Sequence, residues 1–357
     1  MSMKLAVIPW SEAGLQDNIF VINDPEKNVD HRNEPFLDMK KEFERRGDSI
    51  HTIDFFLDLK EVDYFLFFEL DWKWLLRVIR IGKADSMIYC NAEPPVVNPL
   101  NCPKGYRFLG RFFPYILTWN SDWVDGKTVF KRNIPYFFED DIGQVNFKNR
   151  KLLTSISGNK KSTHPDELYS EREKVITFFE KNYPEEFDFY GTGWEYSEHS
   201  AYRGKVDKKA EIYHLYRFAI CFENMKNIKD YVTEKIFDCL TSGVVPIYAG
   251  AKNIEEYVPK DCFIDYWQFR DHKALAEHLK SIDERTYQAY LDAAQRFLHN
   301  GQKEELSGAE YARNIYAVLE QSKKFKVAYM DILYIRMLLF KRACVRKIKR
   351  MIIGKVQ

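Results

Sequence analysis

Lys235 stands in the first turn of a predicted helix, where free backbone N–H groups and the positive end of the helix dipole already gather. Phe218 to Phe222 is an apolar run suited to a buried parallel strand, Thr233 is the expected N-cap, and Ile236 to Leu240 continues the helix. A cation in that turn is unfavourable by about 0.3 kcal/mol or more unless an anion sits beside it, and a bound phosphate reverses the sign. The competing reading is a solvated lysine shielded by Glu234. Arg172 is a second anomaly. In the helix expected over Asp166 to Asn182, the residues Leu168, Val175, Ile176 and Phe179 form the inward stripe, and Arg172 falls on it. An arginine on a buried face needs a carboxylate, a carbonyl or a ligand phosphate. The third candidate is a base. Glu93 follows the expected strand Ser86 to Cys90, and ligands of open α/β sheets bind beyond the carboxyl ends of the strands. Pro94 and Pro95 restrict the backbone that carries it. Glu69, after Phe67-Phe68, is the rival carboxylate on the same geometric argument.

The wording around Lys235 is more specific. Phe222-Glu223-Asn224, DYVTEK over Asp230 to Lys235, Ser242-Gly243, VVPIYAG over Val244 to Gly250, Pro259 and Cys262-Phe263-Ile264 follow one another in order. This text closely resembles the donor-binding signature of glycosyltransferase family 10, the α1,3/4-fucosyltransferases, over about fifty contiguous positions from Phe218 to Phe269. Elsewhere the resemblance thins to short anchors. It implies a GT-B fold, two Rossmann-like α/β domains facing across a cleft, with a helical C-terminal region. It also implies that Asn224, Tyr231, Glu234 and Lys235 meet the ribose, diphosphate and fucose of GDP-fucose, with Glu223 bracing the loop. Arg172 matches the family's diphosphate-contacting arginine, and Glu93 matches its strand-terminal catalytic glutamate. One departure lies beside that glutamate, where Cys90-Asn91-Ala92 replaces the usual glycine-bearing text. Ser155, Ser157 and Asn159 fall where a phosphate-facing loop should follow the first strand of the second domain, and Gly191 and Gly193 suit a tight turn.

The implied reaction is inverting: GDP-β-L-fucose gives an α-L-fucoside in one in-line displacement. Glu93 takes the acceptor proton, and Lys235 with Arg172 meets the charge growing on GDP. The chain has no Asp-x-Asp motif and its eight histidines are scattered, so no obligatory metal or other cofactor is expected, with stimulation by Mn2+ or Mg2+ left open. The acceptor implied by the family is an oligosaccharide, N-acetyllactosamine of a surface glycan such as lipopolysaccharide, fucosylated at O3 of GlcNAc to a Lewis x type product. Type 1 chains fucosylated α1,4, and another donor and acceptor pair, stay open. A noncatalytic nucleotide-sugar or glycan-binding protein is the alternative of another class. The loops expected to choose the acceptor are Pro94 to Pro114 and Trp119 to Trp123. Trp10, Trp72, Trp74, Trp119 and Trp123 are able to stack on sugars, although packing is the plainer expectation for each.

These residues need a frame. At 357 residues with 45% apolar composition the chain can fill two domains. Strands are expected at Lys4 to Ile8, Ser49 to Ile53, Asp63 to Phe68 and Ser86 to Cys90, with helices at Phe36 to Arg46 and Trp72 to Ile81. The alternation restarts at strand Leu152 to Ser155. Strands Phe187 to Tyr190, Phe218 to Phe222 and Val244 to Tyr248 follow, with a helix near Ala210 to Tyr216, and from Lys273 the chain reads as nearly all helix. The expected division is 1–148 for acceptor and base, 149–322 for GDP-fucose and the following helices, and 323–357 as a tail. That tail carries eleven Lys/Arg against Asp331 alone, about +10 on a body of about −9. Leu333, Met337, Phe340, Cys344, Ile348 and Met351/Ile352 recur at helical spacing, too short a run to span a bilayer, so the tail is expected to lie on an anionic membrane surface. The competing readings are a helix packed back on the body and a homodimer contact. The acidic body argues against nucleic acid as a partner. Six cysteines without a CxxC pair read as reduced thiols. The opening MSMKLAVIPW resembles neither a signal peptide nor an anchor, so a bacterial-type cytoplasmic enzyme peripheral to the inner face of the membrane is the expectation.

Overall fold

The computed structural model describes residues 2–139, 141–143, 145–321 and 324–353, with side chains to 345. The first sheet is built from β1 (Lys4–Ile8), β2 (Ser49–Thr52), β3 (Tyr64–Phe68), β4 (Met87–Cys90), β5 (Tyr115–Thr118) and β6 (Val129–Lys131), in the order β2-β1-β3-β4-β5-β6. Every pairing is parallel. Its helices are α1 (Glu34–Arg45), α2 (Trp72–Arg80) and α3 (Pro103–Leu109). Strands covered on both faces read as continuous apolar runs, and Met87-Ile88-Tyr89-Cys90 is buried throughout. β5 and β6 have no counterpart among the expected strands. Four- and three-residue strands leave too little pattern to be distinguished from loop text.

The second sheet contains β7 (Lys151–Ile156), β8 (Phe187–Tyr190), β9 (Tyr216–Phe222), β10 (Val245–Ala249) and β11 (Ile264–Asp265), again all parallel, in the order β11-β10-β9-β7-β8. The helices α4 (Tyr169–Asn182), α5 (Lys209–Tyr213), α6 (Glu234–Thr241), α7 (His272–Ser281) and α8 (Glu284–His299) accompany it. α4 begins three residues later than expected, after a short bridge from Glu167 to Met225. In each sheet the chain runs out to one side and then crosses to the other. The switch points lie between β1 and β3 and between β7 and β9, the places where such sheets bind ligands.

The sheets fall on either side of residue 148, but the expected second domain running to 322 needs correction. α9 (Gly308–Leu319) returns to the first domain, where Tyr311, Ile315 and Leu319 share a core with Met39 and Phe43 of α1. Gly308 allows the approach, since a Cβ there would fall 1.8 Å from the Pro35 carbonyl oxygen. α10 (Tyr329–Ile353) follows it onto the same domain. Asp331 pairs with Arg111, Ile335 is fully buried, and Leu338 and Leu339 pack beside it against the α2 and α3 side of the sheet. The tail is therefore not wholly detached from the body. Its opposite face carries Leu333, Met337 and Phe340, with Met337 and Phe340 63% and 71% exposed. Lys323 and 354–357 lie outside the described residues, as do the side chains of Arg346, Ile348, Lys349, Arg350, Met351 and Ile352. No described helix is long and apolar enough to cross a membrane.

Candidate active site

The second-domain wall of the cleft is built on a strand end. β9 runs out at Phe222, and Glu223 beyond it is completely buried. A lone buried carboxylate is strongly unfavourable, so everything near it donates. The Thr233 N–H (2.8 Å) and hydroxyl (2.8 Å), together with Lys235 Nζ (3.0 Å), bind its oxygens. Thr233 is the N-cap residue of α6, as expected, yet its hydroxyl serves Glu223 and Lys235 rather than the helix N–H groups. The anion that Lys235 needs is thus supplied from within the chain, which corrects the picture of a solvated lysine shielded by Glu234. Burial opposes the ammonium charge, but Glu223 and Glu234 outweigh it and hold Lys235 above the ordinary lysine range. Desolvation pushes the Glu234 carboxyl up, while Lys235 and Lys209 outweigh this and hold it at about 2.

Arg172 is buried on α4, and its Nη2 donates to the carbonyls of Phe222 (2.7 Å) and Glu223 (3.2 Å). The buried arginine is met by carbonyls at the end of β9; among the described residues it forms no ion pair. Lys235 and Arg172 converge on one cavity of about 450 Å³ together with Ser157, Asn224, Tyr231 and Glu234. Asn224 donates to the Tyr231 hydroxyl at 3.4 Å, and Tyr231 is otherwise packed against Trp119 (centroids 5.0 Å). Ser155 is not gathered into the cavity wall. It is fully buried within β7, its hydroxyl 3.5 Å from that of Ser157. Gly191, at φ +137°, brings the loops after β7 and β8 together, since a Cβ there would lie 2.0 Å from the Ser157 carbonyl oxygen.

The first domain closes the same cavity with Ala92, Glu93 and Ile134. Glu93 extends from the end of β4. Burial raises its pKa above the ordinary glutamate value, Lys235 and Lys160 draw it back, and Glu69 and Glu234 push it up again. The departure in Cys90-Asn91-Ala92 has a packing reason. With its amide donating to the Leu117 carbonyl (3.1 Å), buried Asn91 accepts from the Trp119 indole (3.1 Å) and the Tyr106 hydroxyl (2.8 Å). Glu69, the rival carboxylate, accepts from Tyr89, Asn98, Asn101 and the N–H groups of Ala92 and Glu93, which leaves it no role as a free base. Trp119 is completely buried, so it packs rather than stacking on a sugar.

Two cavity-lining cations were not singled out from the sequence. Lys160 follows Gly158 in the loop after β7, within the stretch read as phosphate-facing, and the adjoining Asn159-Lys160-Lys161 was the available signal. Lys209 gave none, because its partners are Asp238 on α6 (2.7 Å) and Asp30 of the other domain (3.7 Å). The domains are latched beside the cavity by Asp230, which accepts from the Ser121 N–H (2.7 Å) and hydroxyl (2.6 Å) and lies 3.4 Å from Lys131. Among the described residues no three His, Cys, Asp or Glu side chains cluster so as to hold a metal ion.

Known proteins resemble this chain in sequence and in fold. The description "Glycosyltransferase family 10 (fucosyltransferase) C-term" matches residues 147–330, just over half of the chain. A putative fucosyltransferase-like protein of Arabidopsis thaliana is 42% identical over 80 residues, 22% of this chain and 15% of that protein. The 4-galactosyl-N-acetylglucosaminide 3-alpha-L-fucosyltransferase 9 of Mus musculus is 35% identical over 88 residues, 24% of each. The matched region thus spans between 15% and 24% of these relatives' length. Among solved structures, an alpha1,3-fucosyltransferase with GDP superposes with a TM-score of 0.54 at 15% identity, covering 92% of this chain and 93% of its own. The Anabaena HepE protein in complex with UDP-glucose gives 0.54 at 10% identity, covering 89% and 99%. At such identities the likeness is one of fold, the two-domain GT-B arrangement described above. Fold, signature and site fall together: the chain belongs to glycosyltransferase family 10, the fucosyltransferase family.

Proposed function

We propose that this protein transfers L-fucose from GDP-β-L-fucose to a GlcNAc-type hydroxyl of an oligosaccharide, with inversion, by α1,3 linkage on N-acetyllactosamine. The observation that carries this reading is the opposition of Glu93 to Lys235 and Lys160 across one cavity that also contains Arg172. The Glu93 carboxylate accepts the proton of the acceptor hydroxyl as that oxygen bonds to the anomeric carbon. The bond from that carbon to the diphosphate oxygen breaks in the same step, and its electron pair leaves with GDP. Lys235 and Arg172 receive the new charge at the N-terminal end of α6, so the leaving group requires no general acid. Desolvation suits Glu93 to its task, since a carboxylate of raised pKa is a stronger base. Asn224, Tyr231 and Glu234 line the space for the ribose and fucose. Ser157 faces the diphosphate, with Ser155 supporting it from within β7. Metal stays optional in this scheme, because the chain's own cations meet the diphosphate.

The acceptor assignment draws on the name of the Mus musculus relative, and the α1,4 alternative on the Alpha-(1,4)-fucosyltransferase of Arabidopsis thaliana, 42% identical over 67 residues. The exposed face of α10 supports peripheral contact with an anionic membrane at the cytoplasmic side, where a lipid-linked surface glycan would be met. The test is GDP release from GDP-fucose with and without N-acetyllactosamine, in parallel with EDTA, and linkage analysis of the glycan. Acceptor-dependent release with an α1,3 product that survives EDTA is the expected result. A fully EDTA-sensitive reaction rejects the metal-independent scheme, and an α1,4 product on type 1 chains replaces the acceptor. No release despite thermal protection by GDP-fucose favours a nucleotide-sugar-binding protein.

A further inference from the structure

We propose that Glu69 is the positioning residue of the transfer site, its carboxylate holding the Ala92–Glu93 turn that aims the Glu93 side chain into the cleft. This rests on the reading of Glu93 as the base. Oε1 of Glu69 accepts from the N–H of Ala92 (2.7 Å), the N–H of Glu93 (3.1 Å) and Nδ2 of Asn101 (3.0 Å). Oε2 accepts from Nδ2 of Asn98 (2.6 Å) and the Tyr89 hydroxyl (2.8 Å). Oε1 thus takes three donors, the Glu93 N–H being the longest of them, while the single proton of the Tyr89 hydroxyl also has Asn101 Oδ1 within reach at 2.7 Å. Asn101 completes the grip by donating to the Glu93 carbonyl at 2.7 Å. Both backbone polar groups of Glu93 are therefore held from one cluster. Four of the five groups around the carboxylate are N–H donors, so the cluster requires an acceptor on both oxygens.

The backbone points the same way. Glu69 follows β3 at the switch point of the first sheet with φ +70°, a conformation that a non-glycine residue keeps only when its surroundings impose it. Its own N–H donates to the Cys90 carbonyl (3.2 Å), tying the end of β3 to the end of β4. Its charge also bears on the base. The Glu93 carboxylate faces Lys235 and Lys160, which favour its ionised form, and Glu69 and Glu234, which disfavour it; the Tyr169 and Tyr231 phenols lie close by. Removing the Glu69 charge therefore lowers the pH at which Glu93 protonates.

The experiment compares kcat, KM for GDP-fucose and the pH dependence of kcat in Glu69→Gln, Asn98→Ala and Glu93→Gln. Glu69→Gln turns an acceptor into a donor among donors and should lower kcat by about 10²-fold, the scale of a small misplacement of a reacting group. KM for GDP-fucose should stay within about twofold, since the ground-state donor contacts lie on the other domain, and the acid limb of kcat should move to lower pH. Asn98→Ala keeps the charge and loosens the clamp; kcat should fall by about tenfold with the acid limb in place. Wild-type kcat and acid limb in Glu69→Gln, or a loss confined to KM for GDP-fucose, overturns the proposal. Should Glu69→Gln fail to fold, an unchanged kcat in Asn98→Ala does so instead. The outcomes separate the two readings: active Glu93→Gln removes the base itself, whereas inactive Glu93→Gln beside a normal Glu69→Gln removes only the positioning role.

Discussion

The two walls of the cleft hold their charges in opposite ways. On the second domain Glu223 is buried and saturated, and its partner Lys235 reaches the cavity. On the first domain Glu69 is saturated by donors, and its neighbour Glu93 reaches the cavity. Each wall thus pairs a carboxylate that braces with a group exposed to substrate, but the exposed group is a cation on one side and an anion on the other. A cation is held by direct contact with its brace. An anion beside an anion has to be held through the backbone, and burial, joined by the charge of Glu69, raises its basicity.

That comparison can be broken at each wall. The largest effect is expected from Glu93→Gln: kcat should fall by about 10³-fold, the middle of the range for a general base, while GDP still protects the protein against heat. Retained turnover would end the role of the first-domain wall. On the other wall, Lys235→Ala leaves Glu223 buried without its cation, and loss of one partner of such a pair destabilises by about 3–5 kcal/mol. The double variant Lys235→Ala/Glu223→Gln should regain most of that stability in thermal melts yet remain unable to bind GDP-fucose. Recovery of binding as well would make Lys235 merely structural.

A smaller effect is expected where the walls meet. Burial pushes the Asp230 carboxyl up, but the hydrogen bonds from Ser121 and Asn253 and the charge of Lys131 outweigh it and hold the pKa at about 2. Because the folded value lies below the unfolded one, the stabilisation is fully present above the ordinary aspartate range and is lost as pH falls through that range toward 2. Asp230→Asn should destabilise by about 1–3 kcal/mol near neutral pH and flatten the loss of stability between pH 4 and 2, read by denaturant melts across pH. A parallel pH curve would show that the latch does not contribute. The smallest effect belongs to the surface: Met337→Ser/Phe340→Ser should change stability by no more than about 0.5 kcal/mol and leave kcat alone, while weakening binding to anionic vesicles. Equal vesicle binding would leave the exposed face of α10 without a membrane role.

Much of the second-domain wall is legible in the chain because it is local. Glu223, Thr233 and Lys235 lie within thirteen residues, on a strand end and the first turn of the next helix, and strand and helix periodicity places them without knowledge of the rest. Arg172 is detectable because an arginine on an apolar stripe contradicts its surroundings, although the stripe cannot say that Phe222 and Glu223 carbonyls would receive it. Ser155 shows the limit of proximity in sequence. The two serines share one face, but Ser155 lies inside β7 under the sheet's packing, whereas Ser157 stands beyond the strand's end and lines the cavity.

The sequence by itself determined two α/β halves, the strand-end placement of Glu93 and the helix-terminal placement of Lys235, since these follow from periodicities of a few residues. Only the tertiary structure decided which carboxylate is free. Glu69 and Glu93 end adjacent strands under the same rule, and what separates them is a set of donors that converge through turns and neighbouring strands. It also decided that α9 and α10 belong to the first domain, because amphipathic helices need a partner and their pattern does not name one. Local periodicity specifies which face of an element is buried. The partner is chosen by the complementarity of surfaces far apart in the chain.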